Sequence, residues 1–303
     1  EPTLVVRVGA SPISASLQRW LFEHASAEQV VIDDGMRFKD HGGTAARYVV
    51  ADASDTLGRL ATKWDVGRAD ATWTETWRSA SEAAGAAARD RVALLEATPR
   101  DETTTLHEGD AVRAVHEALP PAATLFVSSS MPIRDLDAFG HPSPVPLRVL
   151  CNRGASGIDG VVSSAFGAAS QADGPTVCLI GDVAFFHDQN GLLWSREADA
   201  DVVFVVIDND GGGIFHMLPI AEHEPDFTRF FATPHGIDAR HAAAAHAIPF
   251  RDVEIGDLTV EVGDAIETGG SHVLRVRTDR AAQQRLRSAN VDEIIGSVRA
   301  VLG

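Results

Sequence analysis

Short apolar runs alternate with stretches of helical spacing along this chain. Leu4-Val5-Val6-Arg7-Val8 has the length of a buried strand and ends at Gly9, and Ser16–His24 follows with Leu17, Trp20 and Leu21 on one helical face. Val30-Val31-Ile32-Asp33 and Tyr48-Val49-Val50-Ala51-Asp52 predict two more strands, each running into an aspartate. Asp70–Ala97 is Ala-rich, free of proline and dotted with charges, which predicts one long helix stopped by Thr98-Pro99, with Pro99–Thr105 as a linker. A second series opens with a helix at Glu108–Leu119 and a strand at Thr124–Val127, then a polar loop at Ser128–Asp135 and a connection carrying Pro142, Pro144 and Pro146. It continues with a strand at Arg148–Cys151, a small-residue helix at Gly160–Ser170, a strand at Thr176–Ile180 and a helix at Asp188–Glu197. Asp201–Ile207 and His272–Val276 are further strands, and Val291–Leu302 is a final helix with Ile294, Ile295 and Val298 on one face.

Strands that alternate with helices imply an α/β protein with parallel sheets. The pattern divides into residues 1–100 and 101–303. The first part opens directly on a strand and holds only about three strands, so it is expected to be part of a domain belonging to a longer protein.

Composition narrows the class. No apolar run approaches the ~20 residues that span a bilayer, and Glu1-Pro2-Thr3-Leu4 has no basic-then-apolar pattern of a secretion signal. Cys151 and Cys178 both sit in apolar surroundings without further ligand-type residues at metal spacing, which fits two thiols in a reducing cytoplasm. The net charge of −17 leaves no basic footprint for nucleic acid. Asp outnumbers Glu 27 to 16, and Lys39 and Lys63 are the only lysines. So acidic and lysine-poor a surface suits a high-salt cytoplasm, where salt screens its self-repulsion, and a halophilic source is the expectation, with an ordinary acidic protein from a GC-rich genome as the alternative. The melting temperature is therefore expected to rise strongly between low and molar KCl; a melting curve insensitive to salt would reject this reading.

Two strand ends carry the strongest chemical signal. One strand runs into Gly181-Asp182-Val183 and the next, after a helix, into Asp208-Asn209-Asp210-Gly211, with Asp182 and Asn209 27 residues apart. A parallel β-α-β unit places both ends at one carboxyl edge, where open α/β sheets bind ligands. A carboxylate, an amide oxygen and a backbone carbonyl suit three sites of an octahedral Mg²⁺, with Mn²⁺ as an alternative and phosphate oxygens and water completing the shell. Gly181 keeps a Cβ away from a phosphate, and Gly211-Gly212-Gly213 permits positive φ. Taken singly, Gly-Asp and Asn-Asp-Gly are ordinary turn sequences. An EF-hand fails because its twelfth loop position would be Pro219, and no GxGxxG follows a strand.

Two polar loops follow other predicted strands: Ser129-Ser130-Met131-Pro132-Ile133-Arg134-Asp135 and Asn152-Arg153-Gly154-Ala155-Ser156-Gly157-Ile158-Asp159-Gly160. Paired Arg134 and Arg153 would grip carboxylates of a dicarboxylate or keto acid. For Arg153 an ion pair with Asp135 or Asp159 is the plainer alternative.

These segments occur in one order with Gly-Asp-x-x-Phe-x-His-Asp-x-Asn-Gly-Leu, Asn-x-Gly-Gly-Gly-Ile-Phe-x-x-Leu-Pro and Thr233-Pro234-His235-Gly236. The series resembles the 2-succinyl-5-enolpyruvyl-6-hydroxy-3-cyclohexene-1-carboxylate synthase family of thiamine-diphosphate (ThDP) enzymes, over essentially the whole chain and most densely from Ser128 to Gly236. The resemblance implies part of a central Rossmann-like domain over 1–100 and a diphosphate-binding domain over 101–303. It further implies ThDP bound through Mg²⁺ on Asp182, Asn209 and the Gly211 carbonyl, with Gly181 and Val183 at the diphosphate, and Val183 stands where many such enzymes have glycine. Ile158 would prop the cofactor in its bent form. Ser130, Arg134 and Arg153 would contact substrate, and Ile214, Phe215 and Leu218 would wall the pocket, although ordinary core roles suit these three apolar residues too. The implied reaction decarboxylates 2-oxoglutarate and adds the succinyl unit to isochorismate in menaquinone biosynthesis, in a homodimer or homotetramer. His187 and His235 read as structural.

Two departures stand out. Pro12-Ile13-Ser14-Ala15-Ser16 lacks the lysine common in the family at this point, and the domain that supplies the family's activating glutamate is expected to lie outside these 303 residues. No catalytic residue is therefore assigned within these 303 residues, and by themselves they are expected to be inactive. The alternatives are another ThDP-dependent 2-keto-acid enzyme and a non-catalytic module that binds ThDP or dimerises.

Overall fold

A computed structural model describes residues 1–9, 11, 14–35, 40–63, 70–97, 106–140, 145–152, 154–196 and 200–303, with the backbone alone over 89–97. The expected linker Pro99–Thr105 lies outside the described residues. The chain forms two compact units, Glu1–Trp77 and Arg78–Gly303.

In the first unit, strands β1 (Leu4–Val8), β2 (Glu28–Asp33) and β3 (Arg47–Val50) form a parallel sheet in that order. Helix α1 (Ala15–Glu23) begins at Ser14, whose hydroxyl accepts from the Leu17 amide. The central strand β2 is buried at Val31 and Ile32, and its buried Gln29 is fully engaged: Nε2 donates to the Leu21 carbonyl and Oε1 accepts from Thr44. The edge strand β1, expected to be buried, instead leaves Leu4, Val6 and Val8 exposed, because a strand is covered only where another layer packs on it. Helix α2 (Ala53–Lys63) is an element that the hydrophobic pattern does not predict. Asp52, expected at the end of a strand, accepts from the Asp55 amide and so starts this helix. The long helix α3 (Ala71–Ala97) comes next, and the division between the units falls within it.

The second unit is a six-stranded, wholly parallel sheet. In chain order it comprises α4 (Glu108–Ala118), β4 (Thr124–Val127), α5 (Met131–Phe139), β5 (Arg148–Leu150), α6 (Val161–Ala169), β6 (Thr176–Gly181), α7 (Asp182–His187), β7 (Val202–Asp208), α8 (Ala239–Ala245), β8 (Phe250–Asp252), α9 (Leu258–Thr268), β9 (His272–Arg277) and α10 (Arg280–Leu302). The spatial order is β5-β4-β6-β7-β9-β8. Strands β6 and β7 are covered on both faces and therefore read as unbroken apolar runs. Alternate residues of β7 enter opposite cores: Val203, Val205 and Ile207 join Val112, Leu125, Leu258 and Leu274, while Val202, Phe204 and Val206 join Phe166, Cys178, Phe185 and Leu192. Burial pushes the Cys178 thiol far up, as befits an inert core residue.

Three boundaries differ from expectation, each for a physical reason. The loop after β4 is short, and Met131 opens helix α5 with Pro132 in its first turn, where no amide proton is needed. Asp182 is the first residue of α7, and the expected helix beyond it is a 3₁₀ helix at Gln189–Arg196. The last helix begins eleven residues before Val291, at Arg280, because its inner face buries Gln283 and Asn290 and so hides the apolar period. Gly160 caps helix α6 with φ 66°, and Asp188 accepts from the Ser163 amide at 2.7 Å, satisfying a helix-start donor that a glycine cap cannot.

Candidate functional site

After β4 the chain moves outward to β5, then returns across β4 to add β6 and β7 on the other side. The connections from β4 and from β6 therefore diverge at the carboxyl edge, and open α/β sheets bind ligands in such crevices. A cleft opens there. Its walls come from Glu108 and Val112 of α4, Ser129–Pro132 after β4, Ile158, Gly181–Ala184 after β6, and Asn209 and Gly211–Phe215 after β7.

Asp182 is 3% exposed at the cleft floor. One carboxylate oxygen accepts from the Val183 amide, and the other from the Gly211 amide at 2.8 Å and from His235 Nε2 at 3.1 Å. His235 Nδ1 accepts from the Ile237 amide, so the ring proton sits on Nε2 and is donated to Asp182. Burial raises the Asp182 pKa to about 6 against the pull of these hydrogen bonds, and the nearby Asp208 carboxylate adds to the rise. A folded-state pKa above the unfolded value means that stability is lost as pH rises from 3.8 through about 6. A divalent cation at the site would remove that cost by favouring the ionised form.

Asn209, 8% exposed, donates from Nδ2 to Glu108 Oε1 at 3.0 Å. Its Oδ1 is buried and has no hydrogen-bond partner among the described residues. The backbone beyond it turns sharply. Gly211 has φ 134°, and a Cβ there would lie 2.1 Å from the Ala232 carbonyl oxygen. A Cβ on Gly213 would meet Asn209 Nδ2 at 2.8 Å, whereas one on Gly181 would meet nothing and would stand in open space at the cleft. An orphaned amide oxygen, a buried carboxylate tied to the Gly211 amide and a glycine that leaves its surroundings open together fit a divalent cation carrying phosphate oxygens.

Asp182, Asp208 and His235 also have ligand atoms within 4.8 Å of one another. In the observed state His235 points a proton at Asp182, and Asp208 faces Arg275 at 3.6 Å. His235 thus orients the carboxylate, and the Asp182–Asn209 arrangement better suits the cation.

The substrate-side expectations come together unevenly. Ser130 lines the cleft with φ 76° and ψ −133°, a costly conformation for a residue with a side chain, next to the proposed chemistry. Arg134, on α5, donates from Nη1 to the Ser130 carbonyl at 2.7 Å and does not itself line the cleft. Arg153 lies outside the described residues. Ile158, Val183, Ile214 and Phe215 line the cleft. Leu218 does not; it lies beyond the 3₁₀ turn Gly213–Met217 and is 48% exposed. Glu108 and the Asp208–Arg275 pair carry no signal in the sequence, since each of them gains its place from partners distant in the chain.

Residues 139–276 match the family model for the thiamine pyrophosphate enzyme C-terminal TPP binding domain. The chain is 41% identical over 300 residues to the 2-succinyl-5-enolpyruvyl-6-hydroxy-3-cyclohexene-1-carboxylate synthase of Halorubrum lacusprofundi, covering 95% of this chain and 48% of that protein. It is also 41% identical over 283 residues to the synthase of the same name from Geobacillus thermodenitrificans, covering 92% of this chain and 46% of that protein. Among solved structures it is similar to benzoylformate decarboxylase from Polynucleobacter necessarius, with a TM-score of 0.63, 17% identity, and 91% of this chain and 49% of that one covered; this likeness concerns the fold. The chain spans about half the length of the curated relatives it matches. Among the described residues, no helix is long and apolar enough to cross a membrane.

Proposed function

Since the chain belongs to the 2-succinyl-5-enolpyruvyl-6-hydroxy-3-cyclohexene-1-carboxylate synthase family, we propose that it forms the diphosphate side of a ThDP- and Mg²⁺-dependent active site that decarboxylates 2-oxoglutarate and adds the succinyl unit to isochorismate. The observation that carries the reading is the buried Oδ1 of Asn209, without a hydrogen-bond partner among the described residues, in the same cleft as the buried Asp182 at the sheet's carboxyl edge. Asp182, Asn209 Oδ1 and the Gly211 carbonyl hold the Mg²⁺, or Mn²⁺ in its place, and Gly181 and Val183 border the diphosphate. Bound ThDP supplies the nucleophilic carbon and the electron sink that decarboxylation of a 2-keto acid requires. Ile158 presses on the cofactor, and Ile214 and Phe215 exclude water from the cleft, with Leu218 at its outer margin. Ser130, Arg134 and Arg153 take the substrate carboxylates, because a guanidinium matches a carboxylate with two parallel hydrogen bonds.

Residues 1–100 belong, on this reading, to a central Rossmann-like domain and 101–303 to the diphosphate-binding domain of a homodimer or homotetramer in menaquinone biosynthesis. Expressed by themselves, the 303 residues are expected to show no turnover.

The test is activity of the full-length protein with 2-oxoglutarate and isochorismate. Arg134→Ala is expected to raise KM for 2-oxoglutarate about 10- to 100-fold, as loss of a hydrogen bond to a charged group costs ~1.5–3 kcal/mol, with ThDP affinity changed much less. Absence of product from these two substrates, or equal losses of cofactor and substrate affinity in Arg134→Ala, would reject the assignment.

A further inference from the structure

We propose that Glu108 is a positioning residue for the cation site, dictating which end of the Asn209 amide faces the metal. The inference rests on the Mg²⁺–ThDP reading of the cleft. An asparagine presents an oxygen and an NH₂ group of nearly the same shape, so a half-turn about its last bond would replace a ligand by two protons pointing at the cation. Something nearby must discriminate between the two ends. The Glu108 carboxylate accepts from Asn209 Nδ2, its Oε1 lying 3.0 Å away. The NH₂ end is thereby held at the carboxylate, and Oδ1 is turned away, buried and without a hydrogen-bond partner among the described residues.

Glu108 is itself held firmly. It is 5% exposed, and the same Oε1 accepts from Thr278 Oγ1 at 2.7 Å. Its amide donates to Gln283 Oε1 at 2.8 Å, and Gln283 Nε2 donates in turn to the Leu106 carbonyl. Glu108 opens helix α4 beneath a reciprocal cap in which His107 Nδ1 accepts from the Gly109 amide and Asp110 accepts from the His107 amide. On the other side the Asn209 carbonyl accepts from Arg280 Nη1 at 3.0 Å, and Gly213 leaves no room for a side chain against Nδ2. Both partners are thus placed before any cation arrives.

The experiment titrates Mg²⁺ against ThDP binding in the full-length protein by calorimetry, alongside thermal melting. Glu108→Ala is expected to weaken Mg²⁺ binding 10- to 100-fold, the usual effect of removing a residue that orients a metal ligand. Glu108→Gln is expected to lose less, because its amide oxygen still accepts from Nδ2. The pair Asn209→Asp with Glu108→Gln separates orientation from packing. With two oxygens at position 209, Glu108 becomes a repelling neighbour, so Asn209→Asp/Glu108→Gln is expected to bind Mg²⁺ at least tenfold more tightly than Asn209→Asp alone. A purely structural Glu108 would lower the melting temperature without this rescue. Equal Mg²⁺ midpoints in the unsubstituted protein and in the folded Glu108 variants overturn the proposal, as does a double variant no better than Asn209→Asp. Where the unsubstituted protein shows no Mg²⁺-dependent ThDP binding at all, the reading of the cleft falls and this assignment with it.

Discussion

Replacing Asp182 by alanine is expected to abolish Mg²⁺-dependent ThDP binding while leaving the chain folded. Asp182 supplies the single carboxylate of the proposed ligand set, and it occupies the first position of α7, directly after the buried strand β6. The substitution strands the Gly211 and Val183 amides and the His235 ring donor, each of which now bonds this carboxylate. An unsatisfied buried donor costs about 1–3 kcal/mol. The opposing effect is removal of a buried charge whose ionisation the fold disfavours, as the pKa near 6 records. The two effects partly offset, so the melting temperature is expected to fall only modestly, whereas cofactor affinity falls by at least two orders of magnitude, or ~2.7 kcal/mol. Calorimetry showing unchanged ThDP affinity in the presence of Mg²⁺ would overturn the metal assignment.

The largest stability effect is expected from Arg275→Ala. This arginine, on β9, is 1% exposed. Its Nε meets Asp252 Oδ1 at 2.6 Å, and its Nη1 meets Asp238 Oδ1 at 2.8 Å and Asp208 Oδ2 at 3.6 Å. One guanidinium thus joins the end of β7, the residue before α8 and the edge strand β8, and it also lies over the Phe250 ring. Removing it leaves three aspartates facing one another. Breaking a buried pair costs about 3–5 kcal/mol, and partial exposure of Asp238 and Asp252 favours the lower end. At about 2–4 °C per kcal/mol for a domain of this size, the melting temperature at pH 7 should drop by roughly 6–12 °C. The Arg275 hydrogen bond is the chief reason that Asp252 lies below the usual carboxylate value of 3.8. Asp238 is also lowered: burial would raise it, but hydrogen bonding to Arg240 and attraction to Arg275 outweigh this. A depressed carboxylate stabilises the fold above its unfolded pKa and ceases to do so as pH falls through the folded value. The gap between Arg275→Ala and the unsubstituted protein should therefore narrow below about pH 4. A drop under 2 °C at pH 7, or a gap that widens in acid, would show that the cluster does not act this way.

Much of this is legible in the chain itself. Strands covered on both faces must be apolar throughout, and so Thr176–Ile180 and Val202–Ile207 announce themselves as the sheet's centre. The polar residues that break those runs, Gly181-Asp182 and Asp208-Asn209, then mark the carboxyl edge. Because a parallel β-α-β unit leaves few topologies, these local signals suffice for the fold class and for Asp182 and Asn209 as neighbours. Ile158, Ser130 and Phe215 emerge through motifs alone. Local pattern is less informative where polar residues serve the interior. Gln283 and Asn290 conceal the first half of α10, and Asp52 looks like a strand end although it starts a helix. The tertiary structure alone decides which way the ligands face. Glu108 reaches Asn209 across 101 residues, His235 reaches Asp182 across 53, and Arg275 draws together Asp208, Asp238 and Asp252 from separate elements. A hydrogen bond is set by distance and angle in space, to a fraction of an ångström, and no spacing along a chain encodes that when the partners arrive on different strands and helices.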